Sequence, residues 1–178
     1  SDGGQSLLAA VLADVGGEPG DDDAGPVRQF SRFRIAAGIQ VGSAQGEVRR
    51  REAAYLAVQA APDKLTLLTG DFNSASPHDP EPAGFDALPA HHRARYLADD
   101  LRTADRSVLA HLEAAGWVDV GHALDQSGVP TVPTAGFSGT EFAAMRCDYL
   151  LASQALAAHA KSCRVISTAV TDMASDHY

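Results

Sequence analysis

The chain has 178 residues, of which 45% are hydrophobic and 21% are charged. This composition excludes intrinsic disorder and predicts one soluble globular domain over residues 1–178. No run of about 18 consecutive apolar residues is present, so a membrane-spanning helix is not expected. The 14 Lys and Arg against 23 Asp and Glu give a net charge of −9. Proteins that hold nucleic acid by neutralising phosphates usually carry the opposite sign, so broad nucleic-acid binding is disfavoured.

The first 30 residues predict an atypical or poorly ordered beginning of the domain. A short apolar segment over 6–15 precedes a Gly/Pro-rich loop, which contains the acidic run 21–23. We interpret that run as solvated rather than as a metal site. Because the chain does not begin with Met, we expect a processed or excised piece of a protein. That protein could be cytoplasmic, or secreted with its signal peptide removed.

Apolar periodicity predicts alternating strands and helices along the rest of the chain. We expect strands at 33–41, 64–69, 117–120, 145–152 and 164–170, helices at 47–61 and 107–115, and a turn or short helix at 154–159. Irregular stretches at 73–96 and 128–139 predict long loops, which in small domains are often functional. The alternation predicts a layered α/β domain with functional loops after its strands.

Two smaller groups of residues have limited diagnostic value. Cys147 and Cys163 lack metal-binding spacing, and we expect two core thiols, with one disulfide as the alternative in an oxidising compartment. The consecutive Arg49, Arg50 and Arg51 could form a local basic patch that steers a small anionic substrate.

The strand at 64–69 continues directly into polar residues. Asp71 and Asn73 have the i, i+2 spacing that points both side chains the same way if the chain stays extended. A carboxylate can bind a metal or orient a water, and an amide can donate to a phosphoryl oxygen. The alternative interpretation of Gly-Asp-x-Asn is a simple turn.

A second carboxylate and a histidine occur late in the chain. Asp148 lies in an apolar strand, where a carboxylate is costly without a partner. Its partner could be Arg146, or a histidine whose tautomer it fixes. Asp176 and His177 combine a residue that can bind a hard cation with the usual acid/base residue near neutral pH. We therefore expect His177 within hydrogen-bond reach of Asp148.

Three motifs in this order resemble the endonuclease/exonuclease/phosphatase superfamily, which has the DNase I-like fold. They are Gly-Asp-Phe-Asn-Ser at 70–74, Arg-Cys-Asp-Tyr-Leu-Leu-Ala-Ser at 146–153 and Ser-Asp-His-Tyr at 175–178. The Arg-rich segment 48–53, Gly-Trp-Val-Asp at 116–119 and Pro-Thr at 133–134 also fit, so the resemblance covers about residues 33–178. It implies a two-sheet αββα sandwich, here in a partial version, with the active site at one end of the sheets.

The resemblance also implies hydrolysis of a phosphodiester or phosphomonoester by in-line water attack with Mg²⁺ or Mn²⁺. Asp71 would orient the water or assist the leaving group and contact the metal, and Asn73 would donate to the phosphoryl group. Asp148 would hold His177, which would act as general base or as a positive stabiliser, and Asp176 would approach the metal. Phosphoryl transfer depends on such positioning and charge neutralisation.

Two further residues are expected near the substrate. His78 follows the first motif and could lie at the rim of a cleft formed by Asp71, Asn73, Asp176 and His177. Arg93 lies in a loop with other basic residues and could contact a phosphate, although a solvated loop is the alternative. The expected partner is a small anionic phosphate ester, whose identity depends on the loops.

The sequence departs from the family pattern in its first part. The N-terminal Asn strand and the Gln-Glu motif, whose Glu is a principal metal ligand, have no match, and Gly38 stands where the family tends to have a His. Weak Mg²⁺ binding is therefore expected. The alternatives to an active phosphoesterase are a fragment or degenerate member that acts as a binding or scaffold protein, and, more weakly, a nuclease.

Overall fold

A computed structural model describes residues 14–15, 34–36, 46–137 and 141–178. The expectation for residues 1–30 therefore lies outside the described residues, apart from β1. In chain order the strands and helices are β1 Asp14–Val15, β2 Arg34–Ala36, α1 Gly46–Ala57, β3 Thr66–Asp71, α2 Ala90–Arg93, α3 Ser107–Ala114, β4 Val118–Asp119, α4 Val120–Ala123, β5 Asp148–Ala152, α5 Gln154–Ala157, β6 Ala160–Ser162 and α6 Thr171–Ala174. Two short 3₁₀ turns, Phe85–Ala87 and Ala135–Phe137, lie in the long loops.

The main sheet has four strands in the order β2-β3-β5-β4. Strands β2 and β3 are parallel, whereas β5 runs antiparallel to both of its neighbours. A separate two-stranded ribbon joins β1 to β6. The fold is thus mixed α/β, as expected, and the complete two-sheet sandwich stays a prediction.

Helices α1 and α3 cover the sheet and bury one continuous apolar cluster. Ala53 of α1 and Leu109 of α3 are fully buried, together with Leu68 of β3 and Leu151 of β5. Helix α3 ends where Gly116 adopts a φ of 107°, a conformation that favours glycine. This cluster fixes β3 and β5 side by side, and their polar ends therefore have defined positions.

The element boundaries differ from the sequence expectations at several places. Helix α1 ends at Ala57 rather than at 61, and β3 continues to Asp71 beyond the expected end at 69. The predicted strand at 164–170 is wrong: those residues form no strand, and β6 lies before them at Ala160–Ser162. The part of the predicted strand 33–41 beyond β2 lies outside the described residues. Among the helices of the described ranges, none has the length and apolar character needed to cross a bilayer.

The three consecutive arginines do not form the basic patch that the sequence suggested. Arg49 is fully buried on the inner face of α1, with a nitrogen 3.7 Å from an Asp105 carboxylate oxygen. Arg51 is exposed but pairs with Glu47 at 2.6 Å. A helix turns by about 100° per residue, so three consecutive side chains cannot share one face.

The two cysteines are free thiols, as expected. Cys147 is buried in the core and Cys163 is half-buried. Burial raises the pKa of the Cys147 thiol well above its usual range, which favours the unreactive protonated form.

Candidate functional site

Two carboxylates face each other where β3 ends and β5 begins. Asp71, the last residue of β3, is the direct cross-strand partner of Asp148, the first residue of β5. Both are half-buried. Like charges directly opposite each other destabilise a sheet, so this pair requires a positive group nearby.

His177 supplies that group from the end of the chain. Its Nδ1 lies 2.9 Å from Oδ2 of Asp148, although the two residues are 29 positions apart. One ligand atom from each of Asp71, Asp148 and His177 lies within 4.8 Å of the others. We call these three residues the Asp71 cluster. The contact predicted between His177 and Asp148 is confirmed.

The alternative partner proposed for Asp148 is wrong. Arg146 instead binds Asp79 and Asp119, with nitrogen–oxygen distances of 2.6 to 3.0 Å, and its guanidinium lies 4.6 Å from the Tyr149 ring centre. The alternation of an extended chain would place the side chains of residues 146 and 148 on the same face of the strand. Arg146 nevertheless pairs with aspartates from other parts of the chain, one in the loop after β3 and one in β4.

Asn73 turns back onto Asp71. Its backbone N–H donates to Asp71 Oδ1 at 2.8 Å, and its side-chain amide donates to Oδ2 at 2.9 Å. The residue is buried and has a φ of 46°, in the left-handed region that asparagine tolerates better than most residues. The turn interpretation of Gly-Asp-x-Asn is therefore confirmed, while the role of Asn73 as a donor to a phosphoryl group stays a prediction.

The environment of the cluster shifts the pKa values of two of its members. Burial, and then the charge of Asp148, raise the pKa of Asp71 to about 6, against the opposing effect of the Asn73 hydrogen bonds. Burial lowers the pKa of His177, but the hydrogen bond and charge of Asp148 outweigh it, so the net shift is upward. The site favours a protonated imidazole and a carboxylate that titrates near neutral pH.

The loop before β5 holds the segment that carries His177. Thr134 donates its hydroxyl to the Ser175 carbonyl oxygen at 2.6 Å and its backbone N–H to the Asp176 carbonyl oxygen at 3.1 Å. Phe142 packs its ring against that of His177, with the centres 5.7 Å apart and the planes nearly perpendicular. Thr134 lies in the Pro-Thr motif of the predicted loop at 128–139, whereas no pattern in the sequence points to Phe142.

Asp176 is not part of the Asp71 cluster. Its carboxylate accepts a hydrogen bond from the Ser175 hydroxyl at 3.4 Å, and its carbonyl is bound by Thr134. Its role as a metal ligand stays a prediction.

The two expected substrate residues have other contacts. His78 is exposed, its Nε2 lies 2.9 Å from Glu113, and its ring stacks on that of His122 with centres 3.6 Å apart. Arg93, in α2, lies 3.5 Å from Asp86. Neither belongs to the Asp71 cluster, so their substrate contacts stay predictions.

The two carboxylates of the Asp71 cluster form a candidate metal site, which the imidazole would join only in its neutral form. Carboxylate oxygens suit Mg²⁺ and Mn²⁺, and a cation between Asp71 and Asp148 would offset their repulsion. The donor chemistry therefore fits the divalent ion that the resemblance implies.

Structural comparison supports the resemblance read from the motifs. The chain is similar to an AP endonuclease from Archaeoglobus fulgidus, with a TM-score of 0.59 and 20% sequence identity, over 82% of this chain and 58% of that one. The chain thus spans less than two thirds of the enzyme it matches. No family model and no curated protein sequence matches it. At 20% identity this likeness shows the fold alone: the mixed α/β fold of the chain resembles that of the AP endonuclease.

Proposed function

We propose that this chain carries the catalytic residues of a metal-dependent phosphoesterase that hydrolyses a small phosphodiester or phosphomonoester by in-line attack of water. The observation that supports this most is the Asp71 cluster, with Asn73 bound to it at the polar ends of two paired strands. Three separate parts of the chain contribute to the cluster, and each lies in one of the motifs of the resemblance.

Asp71 and Asn73 are proposed to act on the attacking water and on the phosphoryl group. The pKa of about 6 belongs to the metal-free protein, and near neutral pH the carboxylate form of Asp71 can orient the attacking water. The Asn73 amide would donate to a phosphoryl oxygen as negative charge builds on it. The hydrogen bonds between the two side chains keep both in fixed orientations.

His177 is proposed to act as a positive stabiliser of the transition state. Asp148 raises its pKa, which favours the imidazolium form. A general-base role requires the neutral imidazole, so the two roles predict opposite pH dependences. Activity that falls as His177 loses its proton supports the stabiliser role.

A divalent cation would neutralise charge on the phosphate when bound. Asp71 is proposed to hold it and, by resemblance, Asp176. Such a cation also explains how a protein of net charge −9 could retain an anionic substrate.

The arrangement of the arginines favours a small substrate over a polymer. Six arginine side chains in the described ranges form ion pairs with acidic residues: Arg49, Arg51, Arg93, Arg95, Arg106 and Arg146. A polyanion is held by many cationic groups that can approach its phosphates, and these six are already paired with carboxylates.

The likeness to an AP endonuclease favours the second candidate, a nuclease.

The test compares three substrates with Mn²⁺ or Mg²⁺ present: bis-p-nitrophenyl phosphate, p-nitrophenyl phosphate and duplex DNA containing one abasic site. We expect hydrolysis of a small ester that EDTA abolishes and that His177→Gln lowers at least 100-fold, the order of effect of removing one transition-state contact. Asp63→Asn, at an exposed position outside the cluster, is the control and should leave the rate unchanged. Preferential cleavage of the DNA would favour the nuclease.

The non-catalytic alternative has its own signature. No hydrolysis of any substrate, together with no heat of Mn²⁺ binding in calorimetry, would contradict the proposal and favour a binding or scaffold protein.

A further inference from the structure

Thr131 touches both segments that meet in the Asp148–His177 pair. Its hydroxyl oxygen accepts the backbone N–H groups of Cys147 and Asp148, at 2.9 and 3.1 Å. Its own carbonyl accepts the N–H of Tyr178, the residue after His177, at 2.8 Å. One buried residue is therefore bonded to Asp148 itself and to the immediate neighbour of His177.

The position of Thr131 is itself well fixed. The residue is 1% exposed, and its N–H donates to the Met145 carbonyl at 3.0 Å. A hydroxyl oxygen has two lone pairs, and here both are used by consecutive backbone N–H groups. Those N–H groups lie where β5 begins. The hydroxyl therefore fixes the position and orientation of the Asp148 backbone at the first residue of the strand.

Loss of the hydroxyl would have a local structural consequence. Two buried N–H groups would lack an acceptor, which a folded protein avoids by moving the backbone towards another partner. The Asp148 carboxylate would move with its backbone. A displacement well below 1 Å would already weaken its hydrogen bond to His177, because hydrogen bonds form only within a narrow range of distances. Thr131 would then act through geometry, without touching the substrate.

We propose that Thr131 is a positioning residue that couples Asp148 to His177 and thereby sets the orientation of the imidazole. Its effect on turnover rests on the proposed phosphoesterase function, whereas its effect on the imidazole does not. A residue that positions the acid–imidazole pair should change kcat more than KM, because it alters the transition state rather than substrate binding.

The experiment compares Thr131→Val, which keeps the shape but lacks the oxygen, with Thr131→Ser, which keeps the oxygen. Thr66→Val is the matched control, because Thr66 is also buried, at the opposite end of β3. Turnover of bis-p-nitrophenyl phosphate with Mn²⁺ and the NMR signals of the His177 ring in the metal-free protein, assigned with His177→Gln, are the two readouts.

We expect Thr131→Val to lower kcat about 10- to 100-fold with KM within threefold, and to shift the His177 ring signals. Thr131→Ser should stay within threefold of the unaltered protein in both constants, and Thr66→Val should leave the ring signals unchanged. If Thr131→Val does not fold, Thr131→Cys replaces it, since sulfur is a weak acceptor in a side chain shaped like that of serine.

Unchanged His177 signals in the variant that lacks the oxygen would overturn the proposal, whatever the activity. If the unaltered protein hydrolyses nothing, the proposed function fails, while the NMR comparison still decides the role of Thr131.

Discussion

The Asp71 carboxylate lies opposite Asp148 in a partly buried position, and the fold gains no stability from its charge. Its pKa of about 6, against an ordinary value of 3.8, means that the folded protein holds this proton more tightly than the unfolded chain does. The free energy of unfolding is therefore reduced as pH rises from about 3.8 to about 6, and the whole reduction persists above that. A residue kept at such a cost is typical of a functional site.

Asp71→Asn should therefore stabilise the metal-free protein at about pH 8. Two pKa units correspond to at most about 3 kcal/mol in the free energy of unfolding. The gain should be smaller than that, because the asparagine amide has one acceptor oxygen where the carboxylate accepts two Asn73 hydrogen bonds. The gain should shrink towards about pH 4, where the carboxyl of the folded protein is neutral. Urea denaturation in EDTA at both pH values measures it, with Asp63→Asn as the exposed control. An equal effect of the substitution at both pH values would contradict a raised pKa at Asp71.

Asn73 has a backbone role and a proposed chemical role, and two substitutions separate them. Asn73→Ala should lower hydrolysis about 100- to 1000-fold by removing a transition-state donor. It should also cost about 1 kcal/mol of stability, because alanine resists the left-handed conformation. Asn73→Gly removes the amide without that strain and should show the same loss of rate. An Asn73→Gly variant with the original rate would mean that the amide only forms a turn.

At the scale of elements, Arg146 forms an ion-pair network with Asp79 and Asp119 that connects several elements near the site. It bonds Asp79 in the loop after β3 and Asp119 at the end of β4, and its own carbonyl receives the Tyr149 hydroxyl at 2.8 Å. That hydroxyl also bonds the Ser74 carbonyl at 2.9 Å, next to Asn73. The loop after β3, β4 and the beginning of β5 are thus tied together beside the Asp71 cluster.

Removing this cation should be strongly destabilising. Arg146→Met leaves two buried carboxylates unpaired, and we expect a loss of about 3–5 kcal/mol in urea denaturation. Arg51→Met, at an exposed ion pair on α1, should change stability by less than about 1 kcal/mol. If Arg146→Met lowered the free energy of unfolding as little as Arg51→Met, the ion-pair network of Arg146 would contribute little to stability.

A second variant tests the same ion-pair network without removing any charge. A side chain at Gly121 would place its Cβ 2.5 Å from Nη1 of Arg146, which its two aspartates hold in place. Gly121→Ala should therefore lower the midpoint of thermal unfolding. Gly84→Ala is an unsuitable control, because its φ of 76° adds backbone strain.

For the molecule as a whole, the net charge of −9 and the paired arginines favour a bound cation as the partner of the proposed anionic substrate. A ligand that binds only the folded state stabilises it, by about 2.7 kcal/mol when present at 100 times its dissociation constant. Metal binding should therefore be visible in stability as well as in activity.

Mn²⁺ should raise the midpoint of thermal unfolding, and Asp71→Asn should remove most of that rise. Thermal melts with increasing Mn²⁺, with Asp63→Asn as the control for loss of one carboxylate, measure the effect. An equal rise in both variants would mean that the cation binds away from the Asp71 cluster.

The mixed α/β class, most helices and strands, and the contact between His177 and Asp148 could be predicted from the amino-acid sequence. These depend on local apolar periodicity and on motifs whose order along the chain is informative. The end of β3 at Asp71 was missed because Gly70, a poor strand residue, is held there by pairing with Tyr149. The predicted strand at 164–170 failed because apolar alternation is insufficient by itself, and among the described residues no strand pairs with this segment.

Only the tertiary structure decided which partner each charged side chain takes. Arg146 stands two residues from Asp148, yet it binds Asp79 and Asp119, which are 67 and 27 positions away. Arg49 was expected at the surface but is buried against Asp105. Thr131 carried no chemical signal in the sequence, because a threonine acquires such a role only from the backbone groups that the fold brings to it. Ion pairs and hydrogen bonds act over a few ångströms in space, and distance along the chain does not determine them.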